Sequence, residues 1–244
     1  MNILSIGNSF SQDAQRYLHR IAKADGFEMN TFNLYIGGCP LSKHYRNMLS
    51  DEREYELEMN GQGTGFPVSL KEALLNRNWD VITIQQVSNE SPDYKTYQPY
   101  LQKVVDYVRE CAPHAKLAFH QTWAYEENSK KLNEGMGYAH HEEMFADIKN
   151  TWQKALDETG ADILIPSGEC FEELLKSGIE KIHRDTFHAS YGLGRYTLGL
   201  LWYRVLTGND ISAITFNDFD EEVKDAEIEI AKKCVLKTCK IYGI

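Results

Sequence analysis

The sequence predicts an α/β protein: a three-layer α/β/α sandwich on a central five-stranded parallel sheet. Three observations predict it. Short apolar runs alternate with amphipathic stretches from end to end, the pattern of parallel strands joined by crossover helices. Val81-Ile82-Thr83-Ile84 is a β-branched run with almost no polar interruption, as a central strand covered on both faces requires. No internal repeat, low-complexity tract or Pro/Gly/Ser linker divides the 244 residues, so the chain reads as one domain over 1–244.

The elements follow in order. Asn2 to Ile6 is a first strand, and Ala14, Tyr17, Leu18, Ile21 and Ala22 then recur at helical spacing. Asn30 to Ile36 is a second strand, ending at Gly37-Gly38. Segment 51–67 is polar, with Asn60-Gly61 and Gly63 at its centre, and reads as a surface hairpin or loop insertion. A helix from about Ser69 to Asn76 precedes the Val81–Ile84 strand. Pro99 suits the first turn of the next helix, whose apolar face is Leu101, Val104, Val105 and Val108. Lys116 to His120 is a fourth strand. Phe145, Ile148, Trp152 and Leu156 mark a long helix stopped by Gly160, and Ile163-Leu164-Ile165 is a fifth strand ending at Pro166. Tyr191 to Leu206 is apolar and helical, capped by Gly208-Asn209. The acidic segment Asp218 to Ile230 reads as a last surface helix.

Composition excludes several classes of function. Hydrophobic residues make up 42% and charged residues 25%, as in soluble globular chains and unlike disordered ones. No apolar run is long enough for a transmembrane helix. The net charge of −10, with no basic run, argues against nucleic acid or anionic membranes as partners. The five cysteines (Cys39, Cys111, Cys170, Cys234, Cys239) are odd in number and contain no C-x-x-C, so neither a zinc ribbon nor a disulfide framework is expected. The N-terminus reads as a strand rather than a signal peptide, and the expected location is cytoplasmic.

Ligands of such sheets bind beyond the carboxyl ends of the strands. After the first strand comes Gly7-Asn8-Ser9-Phe10-Ser11, which is neither a dinucleotide fingerprint nor a P-loop. A serine at this strand-to-helix turn has an exposed hydroxyl with free N–H groups nearby. It suits a nucleophile, although Ser9 or Ser11 could serve only as a helix cap. Near the other end, His183-Arg184-Asp185-Thr186-Phe187-His188 places an Asp three residues before a His, so the carboxylate can orient the imidazole.

Gly-Asn-Ser after the first strand, combined with Asp-x-x-His before the last long apolar helix, resembles the SGNH (GDSL-type) hydrolase superfamily over essentially the whole chain. The resemblance is to a bacterial branch with a GNSFS first motif, a third strand ending in Gln and a His-Gln-Thr-Trp fourth strand. It implies a flavodoxin-like SGNH hydrolase fold, with Ser9 as nucleophile, His188 as base and Asp185 as its orienter. Asn8 departs from the Asp of GDSL members. The resemblance also implies an oxyanion hole. The Ser9 N–H and a glycine after the second strand, Gly38, would contribute, with a side-chain amide after the third strand. The usual Gly-x-Asn-Asp there is replaced by Gln85-Gln86-Val87-Ser88-Asn89. Gln85 is the preferred donor, with Gln86 and Asn89 as alternatives.

His120 and Trp123, at the end of the fourth strand, are expected to wall a sugar-sized pocket, with the Trp stacking on a ring face. His140-His141-Glu142-Glu143 is not H-E-x-x-H, and neighbouring helical residues diverge by about 100°, so no metal site is expected. The sequence therefore predicts a serine esterase without cofactor or metal. Its substrate would be a small acyl ester, with an O-acetyl group on a carbohydrate as the leading candidate. A non-catalytic carbohydrate-binding relative and an acyltransferase using the same triad are the alternatives. The sequence does not specify an oligomeric state.

Overall fold

The computed structural model describes residues 1–244. A seven-stranded sheet runs in the order β4-β3-β2-β1-β5-β6-β7. The strands are β1 (Asn2–Gly7), β2 (Asn30–Tyr35), β3 (Tyr55–Met59), β4 (Gln62–Val68), β5 (Val81–Ile84), β6 (Lys116–His120) and β7 (Ile163–Ile165). Five of them, β2-β1-β5-β6-β7, are parallel, with Leu4 opposite Phe32 on one side and Ile82 on the other. The expected parallel sheet is present, and segment 51–67 carries most of an antiparallel hairpin, β3–β4, that extends it beyond β2. Asn60, with φ 52°, and Gly61, with φ 77°, form its turn.

Helices cover both faces. On one side lie α1 (Ser9–Gln15), α2 (Leu18–Ala24), α7 (Ser167–Lys176), α8 (Leu193–Thr207) and α9 (Asp225–Tyr242). On the other lie α3 (Leu41–Ser50), α4 (Leu70–Leu75) and α5 (Tyr100–Cys111), with α6 (His141–Thr159) contributing to both cores. Strand side chains alternate between the two, Ile3 and Val81 facing one core and Leu4 and Ile82 the other. Local chemistry sets the helix ends. A Ser69–Glu72 capping box starts α4, and left-handed Gly160 and Gly208 end α6 and α8.

Three helical readings shift. The continuous apolar period of 14–22 is two helices, broken at Arg16–Tyr17. The final helix starts at Asp225, after the acidic run begins, and continues to Tyr242. Helix α7 follows Pro166 directly, where the sequence predicts only the end of a strand. No helix is long and apolar enough to cross a membrane.

Candidate active site

The carboxyl ends of the parallel strands bring the two sequence motifs together. Ser9 is the first residue of α1, immediately after β1. Gly7 must be a glycine, because a Cβ there would lie 1.9 Å from Ser11 Oγ. Asn8 caps α1: its Oδ1 accepts from the Phe10 N–H at 3.0 Å. Ser9 Oγ lies 2.8 Å from His188 Nε2, and His188 Nδ1 lies 2.7 Å from Asp185 Oδ2. An ionised carboxylate only accepts, so Nδ1 carries the proton and Nε2 is free to accept from the serine hydroxyl. Burial would raise the Asp185 pKa, but hydrogen bonds from the His188 ring and backbone N–H outweigh it. The net shift is downward, keeping the carboxylate charged.

The loop carrying Asp185 and His188 is fixed from several directions. Its ends are tied by Arg184 N–H donating to His188 O at 3.0 Å and Ser190 N–H to Ile182 O at 2.8 Å. At its tip, Thr186 has φ 76°, unfavourable for a β-branched residue, and its carbonyl is held by the Glu126 N–H at 2.7 Å. The Trp123 indole N–H donates to Phe187 O at 2.8 Å. From α1, buried Asp13 takes Arg184 Nη1 at 2.9 Å on each oxygen, Arg195 Nε at 2.8 Å and the Ala189 N–H at 3.1 Å. One helix thus carries Ser9 and, a turn later, the carboxylate that fixes the loop of its partner histidine.

A cleft of about 310 Å³ opens over this triplet. Besides Ser9 and His188, its walls include Gly37, Gly38, Asn89, Tyr35, Tyr125, Phe187 and Lys131. Gly38 sits at φ 62°, a turn conformation that costs glycine little. Neither its N–H nor that of Ser9 is hydrogen-bonded within the chain, so both are available to a ligand.

Several expected contacts lie elsewhere. Gln85 is buried, and its amide Nε2 donates to Asn8 Oδ1 at 2.8 Å, so it is committed to structure and does not line the cleft. Gln86 is likewise occupied. Its Oε1 accepts from the Leu41 and Val87 N–H groups at 2.9 Å each, and its Nε2 donates to Thr96 and Glu90. Of the three amides, only exposed Asn89 lines the cleft. His120 does not form a wall. It is buried between Gln85 Oε1, 2.6 Å from its Nδ1, and Ser167 Oγ, 2.9 Å from its Nε2; burial pushes its pKa down to about 3. Trp123 is also buried, stacked on Phe10 with centroids 3.9 Å apart, and presents no face to a sugar.

These inward-turned groups form one directional chain. Ser167 O–H donates to His120 Nε2, His120 Nδ1–H to Gln85 Oε1, Gln85 Nε2–H to Asn8 Oδ1, and Asn8 Nδ2–H to Cys39 O at 3.2 Å. It links the ends of β7, β6, β5 and β1 to the Gly38 turn, and every donor points the same way, an arrangement that strengthens each bond. The role sequence reasoning missed is this framework, together with Asp13, Tyr35, Tyr125, Phe187 and Lys131. Only Phe187, inside the Asp-x-x-His motif, carried a signal.

Outside the cleft, Glu127 accepts from Nδ1 of both His140 and His141 at 2.9 Å, and Glu127, His140 and Glu142 place one ligand atom each within 4.8 Å. The expected divergence of the two histidines does not apply, because His140 is the extended N-cap and only His141 is helical. His141 Nε2 also lies 3.4 Å from Glu172. Glu172 and Glu127 together raise the His141 pKa to about 9, so a protonated imidazole offsets part of the carboxylate charge there.

A family model described as "Domain of unknown function (DUF4886)" matches residues 2–238. A DUF4886 family protein from Bacteroides uniformis ATCC 8492 superposes with a TM-score of 0.92 at 30% identity, covering 100% of this chain and 95% of that one. A candidate SGNH hydrolase from Slackia heliotrinireducens gives 0.61 at 21% identity, covering 84% and 98%. Phospholipase A1 from Streptomyces albidoflavus NA297 gives 0.50 at 13%, covering 85% and 98%. The last two likenesses, at 21% and 13% identity, establish that the fold is shared with those two proteins. No curated protein matches the chain.

Proposed function

We propose that this chain, which belongs to the DUF4886 family, is a serine esterase acting on a small acyl ester through Ser9, His188 and Asp185. The observation that carries the reading is the unbroken hydrogen-bonded line Ser9 Oγ–His188 Nε2, His188 Nδ1–Asp185 Oδ2, at 2.8 and 2.7 Å, on the wall of a cleft. A binding module has no need to aim an oriented imidazole at a serine hydroxyl.

In this reading Ser9 Oγ attacks the ester carbonyl carbon as its proton passes to His188 Nε2. The negative charge on the carbonyl oxygen is met by the Ser9 and Gly38 N–H groups and the Asn89 amide. Collapse breaks the bond to the alcohol, which takes the proton from Nε2 and leaves an acyl-Ser9 ester. Water then attacks, losing a proton to Nε2, and the acid departs as Ser9 Oγ recovers its proton. Asp185 stabilises the imidazolium in both halves. An O-acetylated carbohydrate is one such substrate; with Trp123 and Tyr125 buried, its ring would rest on Tyr35.

A panel of short acyl esters and acetylated sugars tests the proposal. Turnover should fall at least about 10³-fold in Ser9→Ala with the fold intact. A variant that retains wild-type turnover removes Ser9 as nucleophile.

A further inference from the structure

We propose that the ester taken by this cleft carries a negative charge, a carboxylate, and that Lys131 recognises it; this rests on the esterase reading and narrows its substrate class. The chain has 36 acidic residues against 26 basic ones, yet no Asp or Glu lines the cleft, while Lys131 and Arg184 do. The two cations differ in what surrounds them. Arg184 is paired with Asp13 at 2.9 Å, a carboxylate it shares with Arg195. The Lys131 ammonium enters no salt bridge and no hydrogen bond with the chain. It rests 3.3 Å from the centroid of the Phe187 ring and 5.5 Å from that of Tyr125.

Aromatic faces position an ammonium without cancelling its charge. A surface lysine waves in water, whereas this one is half-buried and placed on the ring of the residue next to His188. The segment that presents it, Lys131–Met136, is a single π-helical turn closed by Gly137 at φ 80°, a form of backbone that recurs at functional sites. An uncompensated cation on the wall of an otherwise carboxylate-free cleft attracts anions and repels cationic substrates. Because a lysine is a point charge on a flexible stem, it favours a single carboxylate over a demanding bidentate geometry.

The test uses matched pairs, 4-acetoxybenzoate against 4-acetoxybenzamide and the 3-acetoxy pair, which differ in charge but hardly in size. Wild type should prefer the anion in kcat/KM, chiefly through KM, and the preference should shrink as salt is added. Lys131→Met, which keeps the packing on Phe187, should lower the anion-to-amide ratio about tenfold, the equivalent of about 1.4 kcal/mol. Lys131→Arg should restore most of it. The inference is overturned if wild type shows no preference for the anion in either pair, or if Lys131→Met leaves the ratio unchanged while turnover depends on Ser9. If neither pair is turned over above the Ser9→Ala background, the esterase reading fails for these esters. Calorimetric titration of Ser9→Ala with the two benzoates then decides the binding claim. Binding lost with Lys131→Met upholds the carboxylate site, and binding that is absent or indifferent to Lys131 overturns it.

Discussion

Asn8 ties three segments with one short side chain, and its chemistry explains why an amide stands there. Its Oδ1 accepts from Phe10 and Gln85, and its Nδ2 donates to Cys39 O at 3.2 Å. Aspartate would keep the first two bonds and set two acceptors against each other at the third, beside the Gly38 turn. Asn8→Asp should therefore lose about 1–3 kcal/mol in urea unfolding and also lower kcat, since Gly38 shifts. A variant as stable and active as wild type would contradict the role assigned to the Cys39 bond. The amides after β5 separate function from framework in the same way. If Asn89 meets the oxyanion, Asn89→Ala should cost about 10²-fold in kcat with little change in stability, because the residue is exposed. Gln85→Ala should instead lower stability by about 1–3 kcal/mol, since it strands His120 Nδ1–H and an Asn8 lone pair in the core. Paired kinetics and melting curves distinguish the two patterns; equal kinetic loss without destabilisation at Gln85 would reverse the assignment.

Helix α1 and the Asp185–His188 loop work as a unit because Asp13, 0% exposed, is the shared anchor of Arg184, Arg195 and Ala189. Removing the carboxylate leaves two largely buried guanidiniums without it, a loss of about 3 kcal/mol or more. Asp13→Asn, assayed well below its melting temperature, should lose kcat by roughly 10–100-fold with KM within a few-fold, since the triplet rather than the cleft wall is misaligned. A variant that is only less stable, with kcat unchanged, would make Asp13 purely structural. The elements themselves were legible to different degrees. The parallel strands were read because both faces are buried, so Val81–Ile84 can be nothing but apolar or Thr. The β3–β4 hairpin is legible from Asn60-Gly61, but its joining the sheet beside β2 is not, because Gln62–Val68 is almost wholly exposed and shows no alternation. Helix α7 was missed because it buries Glu169, Glu172 and Glu173, with partners such as Lys149 and Lys237 supplied from far along the chain. Ser9, Asp185 and His188 could be picked out because two short motifs carry them. His120 and Trp123 were placed at the right strand end but on the wrong side of the cleft floor. Their inward bonds to Gln85, Ser167 and Phe187 depend on tertiary contacts that no local pattern encodes.

Across the whole molecule, the buried histidines set how the fold responds to acid. Burial drives the pKa of His44 and His120 down to about 3, and that of His183 to about 4 despite the hydrogen bond its Nε2–H gives to Ala124 O at 3.1 Å. Their folded values lie below the unfolded value of about 6.5, so the unfolded chain takes up protons first as the pH falls. Their stabilising contribution is complete above about pH 6.5 and declines as pH drops toward 3, at roughly 1 kcal/mol per pH unit for each group. His141 has the opposite sign. Its folded value is raised to about 9 by Glu172 and Glu127, so its contribution is present below pH 6.5 and lost as pH rises through 9. Stability should therefore peak near neutrality, with a steep acid side and a shallower alkaline one. Urea midpoints measured between pH 5 and 9 on wild type, His183→Gln and His141→Gln separate these terms. The first variant should flatten the acid slope and leave the alkaline side as it was. The second should flatten the decline between pH 7 and 9, being already less stable at pH 6. An acid slope indifferent to His183 would assign the decline between about pH 6.5 and 5 to His44 and His120, because the carboxylates held low by their partners, Asp220 and Glu127 at about 2, begin to lose stability only below about pH 4.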